Sequence, residues 1–346
     1  MNGRFIKDMV DLRNVYKTAK KTKIMGFELK GKNVLVTGGA GFIGSHLVDA
    51  LIKESPVKIV VIDNLFLGKE ENLDNAKKNF SGLKFIKASA ADESIVRKIV
   101  EENKIEVVFN LAVIPLPASL ERPKFCSDEN AAITLNILEL LREKKIETLV
   151  HFSSSEVYGS LAEGLLNENN ALDPHTPYAA SKAACDHLVQ SYAKTFGLDT
   201  LIVRPFNNYG PRQNDKSYAG VIPLTARRIL HNEKPIIFGD GKQTRDFIYV
   251  EDTAKAVIEL FKNKNARGKI VNLGSGKEIS VNELIDAICK IRDYNNGVEY
   301  KPARIGDVRR HQADMSLAKE LIGFEPKTNF MEGLRNTLDY YKAINS

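Results

Sequence analysis

Six short runs of β-branched and apolar residues alternate with stretches of helical period between about residues 33 and 207, and a parallel sheet with crossover helices is the fold that accepts that rhythm. The runs are NVLVTG (33–38), KIVVIDN (58–64), LKFIKA (83–88), EVVFNLA (106–112), TLVHFSS (148–154) and TLIVRPFN (200–207). Their nearly continuous apolar character implies strands buried on both faces. The segments GSHLVDALIKE, SIVRKIVEENK, AAITLNILELLREKK and YAASKAACDHLVQSYAKTFG carry the i, i+3, i+4 spacing of the helices that would cover those faces. A doubly wound α/β sheet of the Rossmann type is therefore expected.

Past residue 208 the rhythm breaks into shorter pieces: helices at 219–232, 251–262, 280–292 and 330–344, and strands at 235–238 and 269–274. This predicts a smaller, mixed α/β C-terminal lobe that sends elements back to the main sheet. The expected organisation is an N-terminal helical extension (1–30), a dinucleotide-binding domain (31–207) and the lobe (208–346), which suits a chain of 346 residues. Within the extension, Phe5, Met9, Leu12 and Tyr16 share one helical face. Asp8 and Asp11 favour a helix packed on the domain or on a partner subunit over a membrane-surface helix.

Cys126, Cys185 and Cys289 form no CxxC pair and the six histidines no HExxH, so neither a disulfide framework nor a metal site is expected. The 50 basic residues are mixed with 44 acidic ones, giving a net charge of +6. That modest excess suits an anionic small molecule, and without a basic stripe interleaved with aromatics no nucleic-acid partner is expected. There is no apolar run of about 18 residues and no secretory signal, so no membrane partner is expected and the cytoplasm is the expected compartment.

The first run leads directly into Gly38-Gly39-Ala40-Gly41-Phe42-Ile43-Gly44 and then a helix. Glycines at 38, 41 and 44 supply a tight turn, close approach to a pyrophosphate and close packing of helix on strand, while the helix N-terminus attracts the phosphates. Asp63 ends the second strand, where its carboxylate would take ribose hydroxyls and repel a 2′-phosphate; with no Arg beside it, NAD is favoured over NADP. Phe42, Ile43, Asn64 and Ala112 complete the expected cofactor contacts.

Tyr178 and Lys182 lie four apart on one face of a helix that Thr176 and Pro177 begin. A phenol titrates at about pH 10, and a nearby ammonium worth roughly 4 kcal/mol would bring it to neutrality. Such a pair can take a proton from a sugar hydroxyl as its carbon loses hydride. Ser153-Ser154-Ser155-Glu156-Val157-Tyr158-Gly159 closes the fifth strand, at the carboxyl edge where ligands bind in this architecture.

These motifs together resemble the extended short-chain dehydrogenase/reductase family, specifically its NAD-dependent nucleotide-sugar epimerases and dehydratases, over about residues 31–345. The resemblance implies Ser154, Tyr178 and Lys182 as catalytic residues, Asn207 as a substrate contact, and Arg245 and Arg304 as diphosphate-binding arginines, a role that suits a guanidinium fork. It also implies a homodimer paired through the helix from Tyr178 to Phe196. Two departures stand out. Ser89 replaces the Asp that many relatives use for the adenine amino group, and Asn110 to Pro117 replaces an HxAA loop, with two prolines stiffening it beside the nicotinamide.

Oxidation at C4 of a nucleotide-diphosphate hexose, UDP-linked, is the expected first step. A 4-epimerase then needs no further acid or base, whereas a 4,6-dehydratase needs a carboxylate for the C5 proton. Glu156 stands where the family's dehydratases carry that glutamate, so dehydratase is favoured, with 4-epimerase the alternative. The UDP-glucuronate decarboxylases usually read YDEGK where this chain has YAASK. A non-catalytic NAD-binding regulator would be expected to have lost the Tyr or the Lys.

Overall fold

A computed structural model describes residues 28–160, 163–216, 218–304 and 306–345. The helix expected near the N-terminus lies outside them. In chain order the elements are β1 (Asn33–Thr37), α1 (Phe42–Ile52), β2 (Lys58–Asp63), α2 (Asp74–Asn79), β3 (Leu83–Lys87), α3 (Glu93–Asn103), β4 (Val107–Asn110), α4 (Leu116–Glu121), α5 (Pro123–Arg142) and β5 (Thr148–Phe152). There follow α6 (Pro177–Phe196), β6 (Thr200–Pro205), β7 (Asn207–Tyr209), α7 (Val221–Leu230), β8 (Ile236–Phe238), β9 (Thr244–Tyr249), α8 (Val250–Lys262) and β10 (Ile270–Leu273). The last are β11 (Glu278–Ser280), α9 (Val281–Ile291), β12 (Glu299–Lys301), α10 (Ser316–Ile322) and α11 (Phe330–Asn345).

Seven parallel strands form the main sheet in the order β10-β6-β5-β4-β1-β2-β3, a doubly wound Rossmann arrangement. Alternate residues of each strand feed opposite layers. Val34, Val36, Ile59, Val61 and Phe109 meet Leu47 and Leu51 of α1 and Val257 and Phe261 of α8 on one face. On the other, Leu35, Val60, Ile62 and Val108 meet Val96 and Val100 of α3, Ile137 and Leu141 of α5 and Val189 of α6. Strand β3 departs from the double burial expected of it: as the edge strand it leaves Lys84 and Lys87 exposed.

The chain returns to the main sheet through β10, which pairs with β6 at the register Ile270↔Ile202. The C-terminal lobe also contains a three-stranded sheet, β11-β9-β7, and a parallel pair, β12-β8. Tyr209, Phe247 and Tyr249 from its strands pack with Leu284 and Ile288 of α9 and Leu334 and Leu338 of α11. Strands β1 and β5 and helix α6 all end or begin at one edge of the main sheet, where the lobe covers it.

Candidate active site

The turn after β1 is built so that only glycine fits. Gly38 has φ +67°, and a Cβ there would stand 2.8 Å from the Ala112 nitrogen; a Cβ on Gly44 would stand 2.2 Å from the Gly38 carbonyl oxygen. Helix α1 starts on Gly41 with no side-chain cap, and Gly41, Phe42, Ile43 and Gly44 line a cleft of about 420 Å³. Uncapped first-turn N–H groups beside a cleft form an anion site. Asp63, Asn64 and Ala112 line the same cleft. The Asp63 carboxylate accepts the N–H groups of Ala40 (3.1 Å) and Leu65 (2.8 Å); burial nevertheless pushes its pKa up. Every residue expected to hold NAD therefore borders one cavity, and the side chains fit a dinucleotide with a free ribose 2′-hydroxyl.

At the other end of the cleft stand Ser154, Tyr178, Lys182 and Asn207. Thr176 caps α6 by accepting the Ala179 N–H (3.2 Å), and Pro177 sits in its first turn, which fixes the helix start just ahead of Tyr178. Burial pushes the Tyr178 phenol up, opposed by a hydrogen bond with Ser154; the nearby Glu156 charge adds to the rise. The depressed phenol expected from the Tyr–Lys spacing is thus not what the protein alone sets. The Lys182 ammonium instead donates to the main-chain carbonyl of Phe152, and burial lowers its pKa against the pull of Cys185 and Asp186. Asn207 has its Nδ2 buried without a protein partner, a donor open to a ligand in the cleft.

Glu156, Arg245 and Arg304 form a second cluster next to the first and do not line the cleft itself. Ser154 Oγ accepts the Glu156 N–H at 3.2 Å and starts the tight turn Ser155–Tyr158 that swings the glutamate away from the strand. Burial pushes the Glu156 carboxyl up, while Arg245 pulls it down. Arg245 is ion-paired with Asp307, and the Arg304 guanidinium lies 4.0 Å over the Phe238 ring. Asp307, which pairs with Arg245, also acts through its charge on Arg304.

Several neighbours carried no sequence signal. Asn130 accepts the Ile114 N–H (2.8 Å) and donates to Ser181 Oγ (2.9 Å), tying the loop after β4 to α6 beside Lys182. The expected stiff loop at Asn110 to Pro117 is partly helical, because Pro115 caps α4 and Pro117 sits in its first turn. Tyr218 stacks on Phe66 across the cleft mouth, with ring centroids 6.2 Å apart.

The family model described as GDP-mannose 4,6 dehydratase matches residues 35–337. A putative UDP-glucose 4-epimerase of Methanocaldococcus jannaschii is 39% identical over 313 residues, 90% of this chain and 99% of that protein. The structure of UDP-glucose 4-epimerase with UDP-glucose from Thermotoga maritima superposes with a TM-score of 0.85 at 33% identity, covering 91% of this chain and all of that one (100%). That of dTDP-glucose 4,6-dehydratase from Bacillus anthracis, in complex with NAD, gives 0.81 at 31% identity, covering 90% and 97%.

Proposed function

Because the chain belongs to the GDP-mannose 4,6-dehydratase family of NAD-dependent nucleotide-sugar epimerases and dehydratases, we propose that it oxidises C4 of a UDP-linked hexose and then eliminates water across C5 and C6. NAD is the cofactor, and when bound it supplies the hydride acceptor for C4. Gly38, Gly41 and Gly44 give its pyrophosphate room at the start of α1, and Asp63 takes its ribose hydroxyls. Tyr178 removes the proton of the C4 hydroxyl while Ser154 hydrogen-bonds the same oxygen. Lys182, four residues beyond Tyr178 on α6, is the group assigned to supply the positive charge that a tyrosinate there needs. Asn207, Arg245 and Arg304 hold the sugar nucleotide.

The observation that carries the elimination is Glu156. It is a carboxyl whose pKa burial raises, standing two residues beyond Ser154 and close enough to Tyr178 to act on the phenol. A base of raised pKa is matched to a carbon acid made labile by the neighbouring C4 ketone. Glu156 takes the C5 proton and delivers a proton to the departing C6 oxygen, so C5–H and C6–O break as the C5–C6 double bond and water form. The hydride taken from C4 would then return to C6 and a solvent-derived proton to C5, giving the 4-keto-6-deoxy sugar and restoring the oxidised cofactor.

A 4-epimerase is the second reading, favoured by the 39% identity to a putative UDP-glucose 4-epimerase. In that case the ketone turns over in the site and Glu156 stays a spectator. Incubation with a panel of UDP- and dTDP-hexoses, followed by mass spectrometry, separates the two: loss of one water supports elimination, and an unchanged mass with a new C4 configuration overturns it.

A further inference from the structure

His311 is wholly buried, on a segment whose neighbours are pinned on both sides. Thr244 bridges to Arg310, and Leu166 to Ala313. Its ring rests edge-on against Phe206 at 6.1 Å. Nε2 lies 2.6 Å from the carbonyl oxygen of Gly159, an acceptor only, so that nitrogen carries the hydrogen. The fixed tautomer leaves Nδ1 as a bare lone pair. That atom is buried with no protein partner and lies 4.0 Å from Glu156 Oε1. Burial lowers the His311 pKa to about 4, with Arg245 and His175 adding to the fall, so the ring is a neutral acceptor throughout the physiological range.

We propose that His311 is a positioning residue for Glu156: its Nδ1 accepts the proton-bearing oxygen of the Glu156 carboxyl and holds the acid form between the two halves of the elimination. This rests on the reading of Glu156 as the C5 base. A carboxylate and an imidazole lone pair are both acceptors, and a separation such as the 4.0 Å between Nδ1 and Oε1 is what an ionised Glu156 would keep. Once Glu156 has taken the C5 proton, a carboxyl rotation of about 1 Å makes an O–H···N bond. That bond favours the acid form and directs its release to the sugar oxygen. The other groups facing Glu156 are Arg245 from β9, Asp307 and His175 from the loops, and Tyr178 from α6. Of these, Arg245 and His175 favour the ionised form and Asp307 opposes it, so His311 is the neutral acceptor of the set. The turn that presents this carbonyl to His311 holds Gly159 at φ +68°, and a Cβ there would stand 2.1 Å from the Asp173 oxygen.

Two replacements separate holding the turn from holding the proton. His311→Gln keeps an N–H near the Nε2 position for the Gly159 carbonyl and removes the acceptor at Nδ1. His311→Asn places an amide oxygen near Nδ1. In the full-length protein, the infrared carboxyl band that wild type shows and Glu156→Gln lacks reports the Glu156 titration directly. We expect His311→Gln to lower that pKa by about one unit and the ratio of water elimination to C4 oxidation about tenfold. The rising acid limb of the elimination should move to lower pH, with His311→Asn recovering much of the wild-type profile. A carboxyl band that titrates identically in wild type and His311→Gln overturns the proposal. If wild type instead eliminates no water from any nucleotide sugar, the reading of Glu156 as base fails, and the infrared titration still decides the His311 contact.

Discussion

The Asp186 carboxylate and the Arg204 guanidinium, both sealed from solvent, meet at 2.9 Å beneath the strand end that presents Ser153 and Ser154. The same carboxylate oxygen accepts the Ser153 hydroxyl at 2.9 Å, and the guanidinium lies 4.7 Å from the centre of the Tyr158 ring. Because Asp186 is one helical turn beyond Lys182, its charge also supports the buried ammonium. One ion pair thus joins α6, β5 and β6 under the expected catalytic residues.

Removing one side of that pair strands the other charge in the core. Asp186→Asn should destabilise the protein by about 3–5 kcal/mol, read as a lower urea midpoint. It should also lower C4 oxidation, since Lys182 loses a supporting charge. A variant with wild-type stability would show that Arg204 finds another partner.

Gly44→Ala tests the nucleotide turn. Its Cβ would overlap the Gly38 carbonyl oxygen at 2.2 Å and the Gly39 Cα at 2.8 Å, both backbone atoms that yield only if the turn opens. Overpacking of about 1–3 kcal/mol predicts NAD binding weakened by roughly 10–100-fold in calorimetry. An unchanged affinity would place the pyrophosphate elsewhere.

Cofactor choice should follow the charge of Asp63. NAD is expected to bind at least about 100-fold more tightly than NADP at neutral pH, because the 2′-phosphate would face a carboxylate in a partly desolvated site. Burial raises the Asp63 pKa above the usual carboxylate value. The carboxylate is charged above that raised pKa and neutral below it, so the preference should shrink as pH falls through it. Asp63→Asn should narrow the ratio at all pH values, and equal affinities in wild type would contradict the assignment.

Assembly is the fourth test. On α6, Tyr192 and Phe196 meet edge-on at 5.5 Å, and Phe196 remains 43% exposed. A large aromatic left open on a helix that already packs against α5 suits a second copy of the same helix pair. Light scattering at micromolar concentration should give a homodimer that Phe196→Asp weakens, whereas a monomeric wild type would rule this face out.

What could be read in the sequence follows from what each residue does alone. The runs that became β1, β2, β4, β5 and β6 are nearly continuously apolar because both faces are covered, and the glycine turn is written in consecutive residues. Strand β9 escaped because TRDFIY carries two charges whose partners are remote: Arg245 pairs with Asp307, and buried Asp246 accepts the N–H groups of Ser275, Gly276 and Ala313. His311 escaped for the same reason. Its partners Gly159 and Glu156 come from a strand end about 150 residues earlier, and nothing local distinguishes it from a surface histidine.

The two leading reactions part at Glu156. For a dehydratase, Glu156→Gln should leave NAD binding and C4 oxidation largely in place, since those rest on Ser154, Tyr178 and Lys182, yet cut water loss by about 10²–10⁴-fold, the usual value of a positioned base. Because burial raises the Glu156 pKa and elimination needs the ionised form, wild-type water loss should fall as pH drops through that raised value, and the glutamine variant's residual rate should lack this limb. In deuterated water the wild type should place deuterium at C5 of a 4-keto-6-deoxy product. A 4-epimerase would incorporate no solvent deuterium on carbon, would lose no water, and would interconvert its C4 epimers as Glu156→Gln at nearly the wild-type rate. Observing that pattern with the true substrate would reassign Glu156 to a structural part in the turn after β5, while C4 oxidation by Tyr178 and Lys182 would stand.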